Sequence, residues 1–155
     1  MRLSLDRPLG HCPGVNMDML TKGSLRLSDD EYVQMQSFAT RLIGRLQGTT
    51  DVTLSSPSGT DLTFSVEGRI VFTDTKLNWK TMKWMNLPVG EVIIAPVENS
   101  MEGILVCDRA IGGVGLIDSP VTITVKGGKA VKVQCSDRTV LRKVKASLST
   151  CPHSA

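Results

Sequence analysis

Apolar positions recur with two different periods along the chain, and each change of period marks an element. Met35, Phe38, Ala39, Leu42, Ile43 and Leu46 follow one another at spacings of three and four, which lines one face of a helix. Ser28-Asp-Asp-Glu31 precedes that run as a capping box: the hydroxyl accepts an early backbone N–H, and the carboxylate three residues on reaches back. Gly48 stands where a glycine ends a helix. The period then falls to two. Val52 and Leu54, then Leu62, Phe64 and Val66, alternate with polar residues on either side of Pro57-Ser-Gly59, which predicts a hairpin. Glu67-Gly-Arg69 reads as another turn and Ile70–Phe72 as a short strand. Further strands are expected at Glu91–Ala95, Gly103–Cys107, Val121–Val125 and Ala130–Cys135. The last two flank Lys126-Gly-Gly-Lys129, whose glycines can take the positive φ that a tight turn demands. Asp137 can cap a closing helix with Val140, Leu141, Val144 and Leu148 inward. A short helical stretch is expected between Met17 and Leu27, whereas residues 1–13 show little periodicity. The fold class is therefore α+β, mostly antiparallel strands with two to three helices.

Composition narrows the class. The chain has 155 residues, 41% hydrophobic and 21% charged, enough to fill one globular core. Aromatic residues make up only 4%, so aliphatic side chains must supply most of the burial. A net charge of +3 is modest for a nucleic-acid binder, which concentrates basic charge on one face. The basic C-terminal third (Lys126, Lys129, Lys132, Arg138, Arg142, Lys143 and Lys145) has no aromatic residues interleaved to stack bases. A stand-alone binding module for phosphate or an acidic partner remains an alternative, but a solvated face explains the charges better; no nucleic-acid partner is expected. No apolar run approaches the ~20 residues that cross a bilayer, and Met1-Arg2 is not followed by the apolar core of a secretory signal. A cytoplasmic protein without a membrane partner is expected. Cys12, Cys107, Cys135 and Cys151 form no CxxC pair, so neither a zinc ribbon nor a disulfide framework is indicated.

The chemistry-bearing stretch lies between Phe72 and Asp108. A long connection carries Asp74, Trp79 and Trp84 with Lys76, Lys80 and Lys83, and long connections with bulky residues are often functional. Asn86-Leu-Pro-Val-Gly-Glu91 follows, in which Pro88 and Gly90 fix a turn and deliver Glu91 to the start of a strand. Glu98 and Glu102 come soon after. Three carboxylates in twelve residues offer hard oxygen ligands to a divalent metal. Residue type and spacing alone favour solvated carboxylates over ligands.

A longer pattern changes that weighting. Asn86-Leu-Pro-Val-Gly-Glu-Val-Ile-Ile-Ala-Pro-Val-Glu-Asn-Ser-Met-Glu-Gly103 resembles a signature segment of the M29 metallo-aminopeptidases, the aminopeptidase T and aminopeptidase S group. Ser58-Gly-Thr-Asp-Leu-Thr-Phe64, Phe72-Thr-Asp74 and His11-Cys-Pro-Gly-Val15 are similar to the same family. The resemblance implies a two-metal site, with zinc or cobalt the expected ions, that removes N-terminal residues from peptide substrates. It implies that Glu91 is a metal ligand, that Glu98 and Glu102 support the turn, and that Asp74 is a weaker candidate for a supporting partner. It implies homodimers. The family's remaining ligands lie further along a longer chain, and His153 stands in no matching motif. The expectation is therefore a partial chain, inactive alone: residues 1–27 a connector from a missing N-terminal domain, 28–148 a partial metallopeptidase-like domain, and 149–155 a disordered tail. A fragment of a related ring-cleaving dioxygenase that uses non-haem iron is the alternative inside the same superfamily.

Overall fold

The structure is a computed structural model that describes residues 9–12, 14–22, 25–76 and 84–150. Along the chain lie β1 (Leu9–His11), α1 (Met17–Thr21), α2 (Asp29–Leu46), β2 (Asp51–Ser55), β3 (Asp61–Ser65), β4 (Phe72–Thr73), β5 (Trp84–Asn86) and β6 (Val92–Ile93). β7 (Glu102–Cys107), β8 (Ala110–Ile111), β9 (Gly115–Leu116), β10 (Val121–Lys126), β11 (Lys129–Gln134) and α3 (Arg138–Thr150) complete it. This is an α+β chain whose sheets are mostly antiparallel. It divides into two compact units: residues 1–47 with 70–94, and residues 48–69 with 95–155.

The second unit is built on one sheet with strand order β11-β10-β7-β3-β2, antiparallel throughout. The β2–β3 and β10–β11 hairpins are the ones the alternating patterns predict. Gly103 sits where β7 meets β3, opposite Leu62. Its φ is 122°, and a Cβ there would lie 2.1 Å from the Asp61 carbonyl oxygen, so no side chain fits. Beyond the paired residues the buried Thr60 extends that junction, its hydroxyl accepting the Val106 N–H at 3.0 Å. Ile117, Val121 and Val144 form the core, with Cys107, Ile111, Ile123, Val133, Cys135, Val140 and Leu148 packed around them. Val144 is the fully buried residue of α3, flanked by Val140 and Leu148, and Asp137 caps the helix by accepting the Thr139 and Val140 N–H groups. Ser149 and Thr150, assigned from the sequence to the tail, are the last residues of α3; residues 151–155 lie outside the described residues.

In the first unit α2 is the longest element. Its capping box is complete, with Ser28 Oγ accepting the Glu31 N–H and Glu31 accepting the Ser28 N–H at 2.7 Å. The helix ends at Leu46, and Gly48 follows with φ 76°. The inward face is the one the apolar spacing predicts, with Met35, Ala39, Leu42, Ile43 and Leu46 buried or half-buried; Phe38 is the exception. Ala39 is buried, while Gln36 and Thr40 bond to Thr75 and Lys76. That packed face turns Phe38 outward, where it is 60% exposed. α1 is shorter than the stretch expected from Met17 to Leu27. Residues 70–72 give only the end of a strand, since β4 comprises Phe72 and Thr73 and pairs with β6 rather than with the preceding hairpin. The strand expected over Glu91–Ala95 is likewise reduced to Val92–Ile93. β1 and β5 pair in parallel, a contact without a periodic signature in either segment.

Candidate metal centre

Glu91 closes the turn that begins at Asn86. β5 ends at Asn86, whose side-chain oxygen lies 3.2 Å from His11 Nδ1, and the Leu87 N–H donates to the His11 carbonyl at 2.8 Å. The Leu87–Pro88 peptide bond is cis. Gly90 follows with φ 152°, and a Cβ at this position would stand 3.3 Å from Met35 Sδ. Glycine therefore meets two local demands, the backbone angle and the closeness of α2.

The residues after β4 hold this turn by its backbone. Asp74 Oδ1 accepts two successive N–H groups, from Gly90 at 3.0 Å and from Glu91 at 2.7 Å. The Thr73 hydroxyl donates to the Glu91 carbonyl at 2.7 Å. It also lies 3.0 Å from the Thr75 hydroxyl and accepts the Thr75 N–H at 3.1 Å. A hydroxyl has one proton and two lone pairs, so with its proton on the Glu91 carbonyl Thr73 must accept from Thr75. Thr75 is buried, and its own carbonyl accepts from Gln36 of α2 at 2.9 Å. Both backbone groups of Glu91 are thus engaged through a chain of bonds anchored on the helix. The Glu91 side chain is exposed, and no donor among the described residues reaches its carboxylate.

The other two carboxylates of the segment have local partners. Glu98 pairs with Arg69, an arginine only 29% exposed. Its own backbone N–H, and then the Arg69 guanidinium, hold the Glu98 carboxyl below the usual glutamate range. Glu102 Oε1 accepts the Gly127 N–H at 2.5 Å and so holds the β10–β11 turn. Between them, Asn99 takes φ 64°, the Val97 N–H donates to the Ser65 carbonyl at 2.8 Å, and Ser100 Oγ accepts the Ser65 N–H at 3.0 Å. Ala95-Pro-Val-Glu-Asn-Ser100 therefore works as a clip on the end of β3. The quoted signature straddles the two units, with Asn86–Ile94 in the first and Ala95–Gly103 in the second.

A family model described as thermophilic metalloprotease (M29) matches residues 31–145. The chain belongs to the M29 family. Among solved structures, the M29 chain is similar to 2,5-dihydroxypyridine dioxygenase from Pseudomonas putida KT2440, with a TM-score of 0.64 and 14% identity over 81% of this chain. It is also similar to wild-type AmpT from Thermus thermophilus, with a TM-score of 0.52 and 20% identity over 76% of this chain. At these identities the likeness is one of fold. The M29 chain spans 35% and 31% of those two proteins' own lengths. No curated protein matches it.

Membership in a metalloprotease family sets a test for the donor set. A zinc site takes three or four protein ligands. Glu91 fits as one of them, an exposed carboxylate on a backbone fixed from both sides. Among the described residues no three His, Cys, Asp or Glu side chains come together, so no full ligand shell is found there. The first unit brings Asp74 to the Gly90 and Glu91 backbone N–H groups and not to the Glu91 carboxylate. Thr73 lies within the quoted Phe72-Thr-Asp74 stretch without a role of its own there, and Thr75 carries no sequence signal, because what both do depends on β4 pairing with β6. Trp79, Lys80 and Lys83 lie outside the described residues. No helix among the described residues is long and apolar enough to cross a membrane.

Proposed function

We propose that this chain is a metal-dependent aminopeptidase-like protein, acting on the N-termini of peptides, in which Glu91 supplies one ligand to a divalent ion. The observation that carries the proposal is the state of Glu91 within the family-matched stretch: its backbone is bonded on both sides while its carboxylate is left exposed. Glu98 and Glu102, by contrast, spend their carboxylates on Arg69 and on the Gly127 N–H. Zinc or cobalt is the ion the family resemblance implies, and a carboxylate oxygen is among the ligand types zinc takes. With a single ligand among the described residues, the chain alone holds a divalent ion weakly and does not assemble the two-ion site that activates water.

The ring-cleaving reading rests on fold likeness at 14% identity and has no residue of this chain to support it, whereas the family match favours peptide hydrolysis. Hydrolysis of leucine p-nitroanilide in the presence of Co²⁺ or Zn²⁺ tests the proposal. The isolated chain is expected to show only the background rate, and mixing with a polypeptide that supplies the remainder of an M29 fold is expected to give metal-dependent turnover. Metal-dependent turnover by the chain alone would show that it completes a site, and absence of turnover in the mixture would remove the aminopeptidase reading.

A further inference from the structure

The basic strip near the C-terminus, which residue type alone assigns to a solvated face, borders a groove in the second unit. β11 is an edge strand. It pairs with β10 on one side, and among the described residues no backbone partner lies on the other. Residues 130–133 of β11 and Lys145, Leu148 and Ser149 of α3 line a groove of about 550 Å³ along that open edge. Val131 and Leu148 give it an apolar wall, and Val131 is 56% exposed. The charge of the groove has one sign. Lys132 and Lys145 stand on its two walls and no carboxylate lines it. Neither lysine has an ion-pair or hydrogen-bond partner among the described residues. β11 carries two lysines and α3 four basic residues, with no Asp or Glu in either. Arg142 shares the Lys145 side of α3, because residues three apart are neighbours on a helix surface. Lys143, two residues from Lys145, falls on roughly the opposite side.

We propose that this groove docks an extended acidic peptide segment of a partner protein, laid along β11 as an added strand. An open strand edge supplies main-chain hydrogen bonds to such a segment, and what meets its alternate side chains supplies specificity. Val133 packs into the core with Leu148, so it points to the α3 face and Lys132 to the other. A carboxylate of the added strand therefore meets Lys132 on one face, and those on the α3 face meet Lys145 beside the apolar wall. Lysines on an edge strand ordinarily keep it from pairing with its own kind. A second copy of β11 would bring further lysines to the edge, whereas an acidic strand brings opposite charges, which favour cross-strand pairs. No aromatic side chain lines the groove to stack a base, which favours a peptide over a nucleic acid. The site is independent of Glu91 and of any metal.

The test follows the fluorescence anisotropy of a labelled peptide of alternating glutamate and valine as the full chain is added. Binding is expected at low ionic strength and is expected to weaken as salt rises. The same peptide with glutamine in place of glutamate is expected not to bind. Lys132→Glu and Lys145→Glu are each expected to weaken binding by about tenfold or more, because a like charge then faces the carboxylates of the peptide. Lys143→Glu makes the same change of charge on the far side of α3 and is expected to stay within about twofold of the parent. All three lysines are exposed, and unchanged circular dichroism of the variants separates lost binding from lost structure. In the parent chain, amide shifts on peptide addition are expected at residues 131–134 and not in β2. Equal weakening by Lys143→Glu and Lys145→Glu would reduce the site to diffuse charge and overturn the groove, as would amide shifts confined to residues outside β11 and α3. Absence of binding, or equal binding of the glutamine peptide, would overturn the acidic specificity. A single-stranded RNA that displaces the peptide from the same residues at lower concentration would put a nucleic acid in its place.

Discussion

Glycine and carboxylate positions carry most of the information at the residue scale, and each carries it through a specific contact. Gly103 is the clearest case, since its positive φ and the 2.1 Å approach to the Asp61 carbonyl exclude any side chain. Gly103→Ala is expected to destabilise the protein by about 2 kcal/mol or more, from strain at a disallowed angle together with separation of β3 from β7. Urea denaturation measures this directly, and a variant within about 0.5 kcal/mol of the parent would show that the junction tolerates a Cβ. Of the three carboxylates between Glu91 and Glu102, residue type could not say which are occupied. Arg69 and Gly127 become the partners of Glu98 and Glu102 through contacts distant in sequence. No spacing rule over the segment itself would have found them.

Elements were legible where a periodic pattern and a local stop signal agreed. α2 has both, in its apolar spacing and in the box from Ser28 to Glu31, and it forms from Asp29 to Leu46. The β2–β3 and β10–β11 hairpins likewise have alternation and a glycine turn. β1, β4, β5 and β6 are two or three residues long, too short for a period to show, and they exist through pairing with distant partners. Phe38 marks a different limit. Its spacing places it in the apolar stripe of α2, yet it lies at the edge of that stripe and is 60% exposed, while Met35, Ala39, Leu42, Ile43 and Leu46 turn inward.

The capping box also makes α2 sensitive to acid. The Ser28 backbone N–H, followed by its hydroxyl, holds the Glu31 carboxyl below its ordinary value of 4.5. A carboxyl whose folded-state value is lowered contributes stability that is present above the unfolded value and is lost as pH falls through the folded one. Glu31→Gln is therefore expected to be less stable than the parent at pH 7, with the gap closing as pH falls below about 4.5. Urea denaturation at pH 7 and at pH 3 measures it; a gap that stays constant across that range would show that charge at Glu31 does not contribute.

For the whole molecule, family membership and local geometry answer different questions. The family match over residues 31–145 establishes descent, and the α+β fold with mostly antiparallel strands follows the sequence expectation. The site is a narrower matter. The sequence singled out Glu91 as a candidate through a resemblance and not through composition, and the structure adds the hydrogen bonds that hold its backbone. Among the described residues no three His, Cys, Asp or Glu side chains are grouped as a metal centre needs. The most direct measurement is calorimetric titration of Zn²⁺ into the parent chain and into Glu91→Gln, Glu98→Gln and Glu102→Gln. The account predicts weak binding that Glu91→Gln removes and that the other two substitutions leave within about twofold, a difference of about 0.4 kcal/mol. Equal binding by the parent and by Glu91→Gln would contradict it.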